Sequence, residues 1–289
     1  MSKAKRVFTL GHSPDPDDAF MFYAMAKHKI DLRGYEFEHR LEDIQTLNER
    51  ALRGELDISA ISIHAYAFVS DHYALLSCGA SMGDGYGPML VTLDPAAPVD
   101  ASPNEKRAWL RDRLIAVPGT MTSAYLALQL FLGDFRHVVV PFDQIFDAVK
   151  SGRADLGLII HEGQLTYAAA GFRKLLDLGA WWKEETGLPL PLGGNVLRKD
   201  LEPAVRRDLA EILRESIDYG LSHREAAVEH SLPYARDMGA DLAGEFIGMY
   251  VNDFTRDYGE TGREAIRQFL TRAEAEGYLP RKVELEFVS

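Results

Sequence analysis

The sequence predicts an α/β protein of two lobes with a cleft between them, and three observations carry that expectation. The chain opens with a strand, a turn and a helix, the usual start of an α/β unit. One pattern then occurs twice, about a hundred residues apart. Leu47-Asn-Glu-Arg-Ala-Leu-Arg-Gly54-Glu-Leu-Asp57 leads into a strand and His64, and Ile145-Phe-Asp-Ala-Val-Lys-Ser-Gly152-Arg-Ala-Asp155 leads into a strand and His161. Both copies read amphipathic helix, Gly, two residues, Asp, buried strand, His. Finally, 289 residues at 46% hydrophobic suffice for one large domain or two of ordinary size. Two similarly built lobes create a cleft, and clefts between domains are favoured ligand sites. The expected division is 1–92 for the first part of lobe 1, 93–190 for an inserted lobe 2, and 191–289 for the return to lobe 1.

Taken in order, Val7 to Leu10 reads as the first strand, and Gly11 to Asp18 as a turn. Ala19 to His28 reads as a helix with Asp17 or Asp18 as its N-cap. Two prolines and that capping role account for His12, Asp15, Asp17 and Asp18 without a metal. Tyr35 to Leu41 alternates apolar and charged residues, as a half-exposed strand does. From Asp43, apolar residues at Ile44, Leu47, Ala51 and Leu52 have helical spacing, and Gly54 closes that helix. Leu56 to Ile63 is a strand leading to His64, and Ala65 to Val69 opens another helix.

Gly79 to Pro88 is a glycine-rich loop. It lacks the Gly-Lys-Ser/Thr ending of a phosphate-binding loop, so no nucleotide site is expected there. Met89 to Leu93 is a strand, and the proline-rich stretch Asp94 to Asn104 is the first crossing between lobes. Glu105 to Arg113 reads as a helix and Leu114 to Val117 as a strand. Thr122 and Ser123 then open a helix, Tyr125 to Leu132. Hydroxyls at such a turn cap the helix or bind an anion together with its free N–H groups, and both readings stand.

Val138 to Val140 is a strand and Asp143 to Lys150 a helix. Leu156 to Ile160 is a buried strand, too short for a helix, that ends on His161. A polar side chain at the tip of a buried strand faces the crevice that an open α/β sheet offers to ligands. Glu162 can orient His161 only if the strand has already ended, because adjacent strand residues point oppositely. Leu175 to Leu178 follows, and the proline and glycine content through Asn195 marks irregular chain and the return crossing. The paired tryptophans Trp181 and Trp182 are expected to pack a hinge. From Asp200 to about Ala275 the pattern is helical: Leu201 to Leu221, Arg224 to Met238, Leu242 to Phe254 and Thr261 to Glu276, with Pro233 breaking the second. Lys282 to Val288 is a closing strand.

Composition excludes several functions. A net charge of −12 argues against nucleic acid, which needs a basic surface. The single cysteine, Cys78, allows neither a disulfide framework nor a cysteine-based metal site. The apolar run Val7 to Leu10 is too short for the core of a signal peptide, and no stretch approaches a membrane span. The expectation is a cytoplasmic protein with no membrane or nucleic-acid partner. Oligomeric state is not legible.

Five segments resemble one enzyme family: Ser13-Pro-Asp-Pro-Asp-Asp-Ala-Phe20, the Leu-Glu-Asp-Ile-Gln-Thr-Leu-Asn run ending at Asn48, Ser62 in its strand, Ile160-His161-Glu162, and Asp177-Leu-Gly-Ala-Trp-Trp-Lys-Glu-Glu-Thr-Gly-Leu-Pro-Leu-Pro-Leu-Gly193. That family is 1,4-dihydroxy-6-naphthoate synthase, of the futalosine route to menaquinone. The resemblance spans the chain from the first strand to about Asp200. It implies a periplasmic-binding-protein type II fold, of the Venus-flytrap kind, used as a cytoplasmic enzyme. The implied reaction converts cyclic dehypoxanthinyl futalosine to 1,4-dihydroxy-6-naphthoate, a carbon–carbon lyase step without metal or organic cofactor. The implied base is His161, and the implied contacts to a small anionic substrate are Ala60, Ile61, Ser62, Thr122, Ser123 and Ala124. Neutral imidazole suits proton abstraction at cytoplasmic pH. The family's first turn reads Ser-Pro-Cys-Pro-Asn-Asp, whereas Asp15 and Asp17 stand here. Two added carboxylates would repel an anionic substrate unless they face away. A non-catalytic solute-binding protein and the sister chorismate dehydratase share the fold and remain alternatives.

Overall fold

The computed structural model describes residues 6–235 and 238–289. The basic start, Met1 to Lys5, and two residues of the expected helix Arg224 to Met238, Arg236 and Asp237, lie outside the described residues. The chain packs as two units. The first comprises the chain to Met82, Gly193–Arg263 and Val283–Ser289, and the second Gly83–Leu192 and Glu264–Lys282.

The strands in chain order are β1 (Arg6–His12), β2 (Tyr35–Leu41), β3 (Ile58–Ser62), β4 (Tyr73–Leu76), β5 (Ser81–Gly83) and β6 (Met89–Thr92). They continue as β7 (Ile115–Val117), β8 (His137–Val139), β9 (Leu156–Ile159), β10 (Arg173–Asp177), β11 (Leu190–Arg198) and β12 (Phe287–Val288). The first unit carries the sheet β12-β4-β11-β3-β1-β2, with β5 also on β11. In it β1 runs parallel to β2 and β3, while β11 runs antiparallel to β3 and β4. The second unit carries the sheet β10-β6-β9-β7-β8, in which β7 is parallel to β8 and β9. Strand β6 therefore lies in the second sheet, antiparallel to β9 and β10.

Each sheet has its own core. In the first unit Phe8, Leu10 and Ile58 pack with Phe20, Phe22 and the helix Pro203–Ser222 through Leu209, Ile212, Leu213 and Ile217. In the second, Met89, Val91, Ala116 and Ile159 pack with Ile145, Ala148, Val149 and Phe172. Trp181 and Trp182 are buried in that unit. Trp182 meets Phe269 edge-on at 5.4 Å and Trp181 meets Phe131 at 5.3 Å, so the pair is core packing.

The repeated pattern has a structural basis in both copies. Gly54 and Gly152 follow their helices with φ of +68° and +72°, a conformation that costs a side chain about 1 kcal/mol or more. The aspartate three residues on then ties down a neighbouring parallel strand. Asp57 Oδ2 accepts from the Thr9 N–H and hydroxyl, each at 2.8 Å, and Asp155 Oδ2 accepts from the Leu114 N–H at 2.7 Å.

Two readings need correction. The stretch expected to be irregular, 181–195, holds most of a helix, Leu178–Thr186, and the start of β11. Asp177 caps that helix, accepting from the N–H groups of Gly179 and Ala180, and Gly187 ends it at φ +74°. Strand β11 is held extended despite Gly193 and Gly194, because β3 pairs with it from Gly193 to Leu197 and β4 from Val196 to Arg198. The first helix also begins earlier than expected, at Pro16 with Asp15 as N-cap and no side-chain cap bond. Proline at the first helical position presets the backbone and gives up only an N–H that the helix does not use.

Candidate active site

In the second sheet the candidate residues lie past the carboxyl ends of parallel strands, and in the first they form the carboxyl end of β3 itself, the edge at which open α/β sheets bind ligands. In the second unit β7 and β9 are parallel neighbours, so the turn holding Thr122–Ala124 and the chain holding His161 leave the same edge of the sheet.

Strand β9 ends at Ile159, two residues before His161, so the alternation of a strand no longer governs Glu162. Glu162 is helical in backbone and starts a short turn, Gly163–Thr166. That turn brings its carboxylate back towards the ring, with Oε2 at 3.7 Å from His161 Nδ1. Both side chains are buried, His161 at 9% exposure. The Gly163 N–H donates to His161 Nδ1 at 3.0 Å. An acceptor at Nδ1 means that the neutral ring carries its proton on Nε2. Phe142 and Phe146 hold the ring edge-on, with centroids at 5.8 and 6.1 Å. Gly163 is needed for this approach, since a Cβ there would stand 2.7 Å from His161 Cε1.

Thr122 is the N-cap of the helix Ser123–Leu132. Its hydroxyl accepts from the Tyr125 N–H at 3.2 Å and donates to the Gly119 carbonyl at 2.9 Å. The hydroxyl therefore caps the helix. The Ser123 hydroxyl donates to the Leu192 carbonyl at 2.5 Å, which ties the start of the helix to β11. Ala124 is buried in the first turn of the helix.

In the first unit β3 carries Ala60, Ile61 and Ser62, all buried. Ala60 packs with Leu47 and Leu56, and Ile61 points to the opposite face of the sheet. Ser62 is the N-cap of the helix Ile63–Val69, yet its hydroxyl makes no capping bond. It accepts instead from Asn48 Nδ2 at 3.0 Å, while the Ser62 N–H donates to Asn48 Oδ1 at 2.9 Å. His64, the histidine of the first repeat copy, sits inside that helix, edge-on to Phe68 at 5.6 Å. The two histidines of the repeat thus occupy different settings, one within a helix and one beyond a strand.

Strand β1, parallel to β3, ends on His12 beside the turn with the added carboxylates. Asp18 Oδ2 accepts from the Ser13 N–H at 2.6 Å, and Asp15 Oδ2 accepts from the Ser13 hydroxyl at 2.9 Å. Burial pushes the Asp18 carboxyl up to about 7, and burial with the Asp18 and Asp15 carboxyls nearby pushes Asp17 well above the usual carboxylate range. The turn therefore carries less negative charge at neutral pH than its composition states. His12, buried and stacked on Phe22 at 4.7 Å, has Nε2 3.0 Å from His39 Nδ1. Burial, with His39 beside it, pushes the His12 imidazole down to about 4. In the glycine-rich loop the exposed Asp84 pairs with Lys183 at 2.7 Å.

Three features escaped sequence reasoning. Asn48 carried a signal, because it completes the spacing Ile44, Leu47, Asn48, Ala51 as a polar residue on a buried helix face. The His12–His39 pair had none, since it depends on the parallel register that sets Leu10 against His39. Gly163 carried no signal of its contact with the His161 ring. Among the described residues, no group of three or more His, Cys, Asp or Glu side chains is arranged to hold a metal ion, and no helix is long and apolar enough to cross a membrane.

Known proteins match this arrangement along nearly its whole length. A family model described as menaquinone biosynthesis matches residues 8–275. A protein of Thermus thermophilus named 1,4-dihydroxy-6-naphthoate synthase is 39% identical over 268 residues, 93% of this chain and 94% of the relative. A crystal structure of an Archaeoglobus fulgidus protein superposes with a TM-score of 0.88 at 42% identity, covering 96% of this chain and 100% of that one. The alkanesulfonate-binding protein SsuA of Xanthomonas axonopodis pv. citri, bound to MOPS, superposes with a TM-score of 0.74 over 98% of this chain and 97% of its own. At 11% identity that last likeness speaks for the fold alone, the two-unit α/β fold of periplasmic binding proteins. A binding-protein fold with its polar groups gathered at the ends of parallel strands, and this degree of likeness across the chain, make it a member of the menaquinone-biosynthesis family of 1,4-dihydroxy-6-naphthoate synthases, an enzyme family.

Proposed function

We propose that this enzyme acts on cyclic dehypoxanthinyl futalosine and releases 1,4-dihydroxy-6-naphthoate, the carbon–carbon lyase step of the futalosine route, in the cytoplasm. In this reading His161 abstracts a carbon-bound proton. Ser62, Thr122, Ser123 and the chain around Ala60, Ile61 and Ala124 contact the anionic substrate. The chemistry calls on neither a metal nor an organic cofactor.

The observation that carries the reading is His161 itself, buried beyond the end of β9 with its Nδ1 fixed and a carboxylate 3.7 Å away. In the resting geometry Nε2 holds the proton. For Nε2 to act as the base, Nδ1 must become the protonated nitrogen, and the Gly163 N–H must give up its bond. Glu162 Oε2 is the acceptor that an Nδ1–H would then meet, and its charge stabilises the imidazolium that forms. A proton transfer of this kind contributes on the order of 10²–10⁴ in rate.

The test is to incubate the wild-type protein with cyclic dehypoxanthinyl futalosine and follow naphthoate by mass spectrometry. Product formation is the expected result. Saturable binding without product would overturn the lyase reading in favour of a solute-binding protein.

A further inference from the structure

We infer that Asn48 is a positioning residue that fixes the Ser62 hydroxyl as a hydrogen-bond donor to an anionic oxygen of the substrate. The inference rests on the proposed contact between Ser62 and substrate, and adds to it the residue that determines which way the hydroxyl serves.

The geometry is unambiguous about direction. A backbone N–H can only donate, so the Asn48 atom 2.9 Å from the Ser62 nitrogen is the carbonyl oxygen Oδ1. The atom 3.0 Å from the Ser62 Oγ is then the amide nitrogen Nδ2, which can only donate. The hydroxyl oxygen is therefore an acceptor towards Asn48, and its proton must point elsewhere. No described residue accepts that proton. Ser62 is 3% exposed and Asn48 0% exposed, so bulk water does not readily serve either. A buried hydroxyl proton without an acceptor is costly, and it directs a donor at whatever fills the site.

Asn48 is itself held in place. Its helix, Ile44–Leu52, is capped by Asp43, whose Oδ1 accepts from the Gln45 and Thr46 N–H groups. Leu47 packs with Leu56 and Ala60 beneath the same helix. An N-cap serine ordinarily turns its oxygen back onto the first turn of its helix. Ser62 does not, and its oxygen accepts from Asn48 instead. The arrangement forgoes a capping bond and leaves a donor pointing away from the helix.

Asn48→Asp tests the direction while conserving volume. A carboxylate at position 48 still accepts the Ser62 N–H, but it also draws the hydroxyl proton inward and leaves no donor for substrate. A lost hydrogen bond to a charged oxygen corresponds to about a tenfold or larger rise in KM, with kcat within about twofold. Lowering the pH protonates the introduced carboxylate and restores a donor towards Ser62 Oγ, so the variant-to-wild-type KM ratio falls as pH falls. A merely structural role would not produce that trend. Ser62→Ala should raise KM about as much, and adding Asn48→Asp to it should change KM less than about twofold. If Ser62→Ala leaves KM unchanged, the substrate contact assigned to Ser62 is wrong. If Ser62→Ala raises KM while Asn48→Asp does not, or if the two effects multiply, the role given to Asn48 is overturned. Should Asn48→Asp fail to fold, the NMR signals of the Asn48 side-chain amide decide. They must shift when substrate binds the wild-type protein and stay unmoved in Ser62→Ala, and the same shift in both would overturn the inference.

Discussion

The two copies of the helix–glycine–aspartate–strand pattern, one in each unit, differ at the end of the strand. In the first, β3 runs straight into the helix Ile63–Val69, and its last residue, Ser62, is held by Asn48. In the second, β9 stops at Ile159 and leaves three residues before the short turn Gly163–Thr166, which places His161 against Gly163 and Glu162. The first ending offers a hydroxyl proton, the second an imidazole. A shared frame fixes where the strand tips lie, and the few residues around each tip decide which group it presents.

The first unit carries buried groups that respond to acid, which gives the largest expected effect on stability. The first unit buries His12 in its neutral form, with a folded pKa of about 4 against 6.5. Between those values the unfolded chain binds more protons than the folded one. The stabilisation is thus complete above pH 6.5 and is lost as pH falls towards 4, amounting to about 3 kcal/mol. Asp18 works in the opposite sense. Its folded pKa of about 7 exceeds the unfolded 3.8, so its contribution grows as pH falls through that range. The two offset one another in the wild type. Asp18→Asn keeps an oxygen for the Ser13 N–H and removes its share of the opposing titration, the rest being that of Asp17. Urea unfolding at about pH 6.5 and about pH 4.5 should then show a steeper loss of stability in the variant than in the wild type. Equal losses would mean that the two groups are not balanced in this way.

A smaller effect separates the two aspartates. Asp57 accepts two hydrogen bonds from Thr9, whereas the exposed Asp155 accepts one from Leu114. Asp57→Ala should cost about 2 kcal/mol and Asp155→Ala about 1 kcal/mol, read from denaturant midpoints at constant m. Equal costs would show that the copies are not anchored as unequally as the bonding indicates.

Much of the frame was legible because it is local. Gly54 and Gly152 announced helix ends, alternation marked β2, and the apolar run before His161 marked β9. What failed depended on partners distant in sequence. Composition made 181–195 look irregular, yet Asp177 caps a helix there and flanking strands hold β11 extended from Gly193. Asp17 and Asp18 looked like caps, but Pro16 starts the helix earlier and Asp18 turns to Ser13. In the candidate site, His161 stood out at a strand tip. Asn48 did not, since its importance lies in a hydrogen bond to Ser62, fourteen residues away.

Proton abstraction by His161 is the central step of the proposed function, and the most direct measurement is single-turnover naphthoate formation by His161→Ala at saturating cyclic dehypoxanthinyl futalosine. The expected result is a rate lower by on the order of 10²–10⁴, with circular dichroism and substrate affinity close to wild type. Wild-type turnover by the folded variant would contradict it.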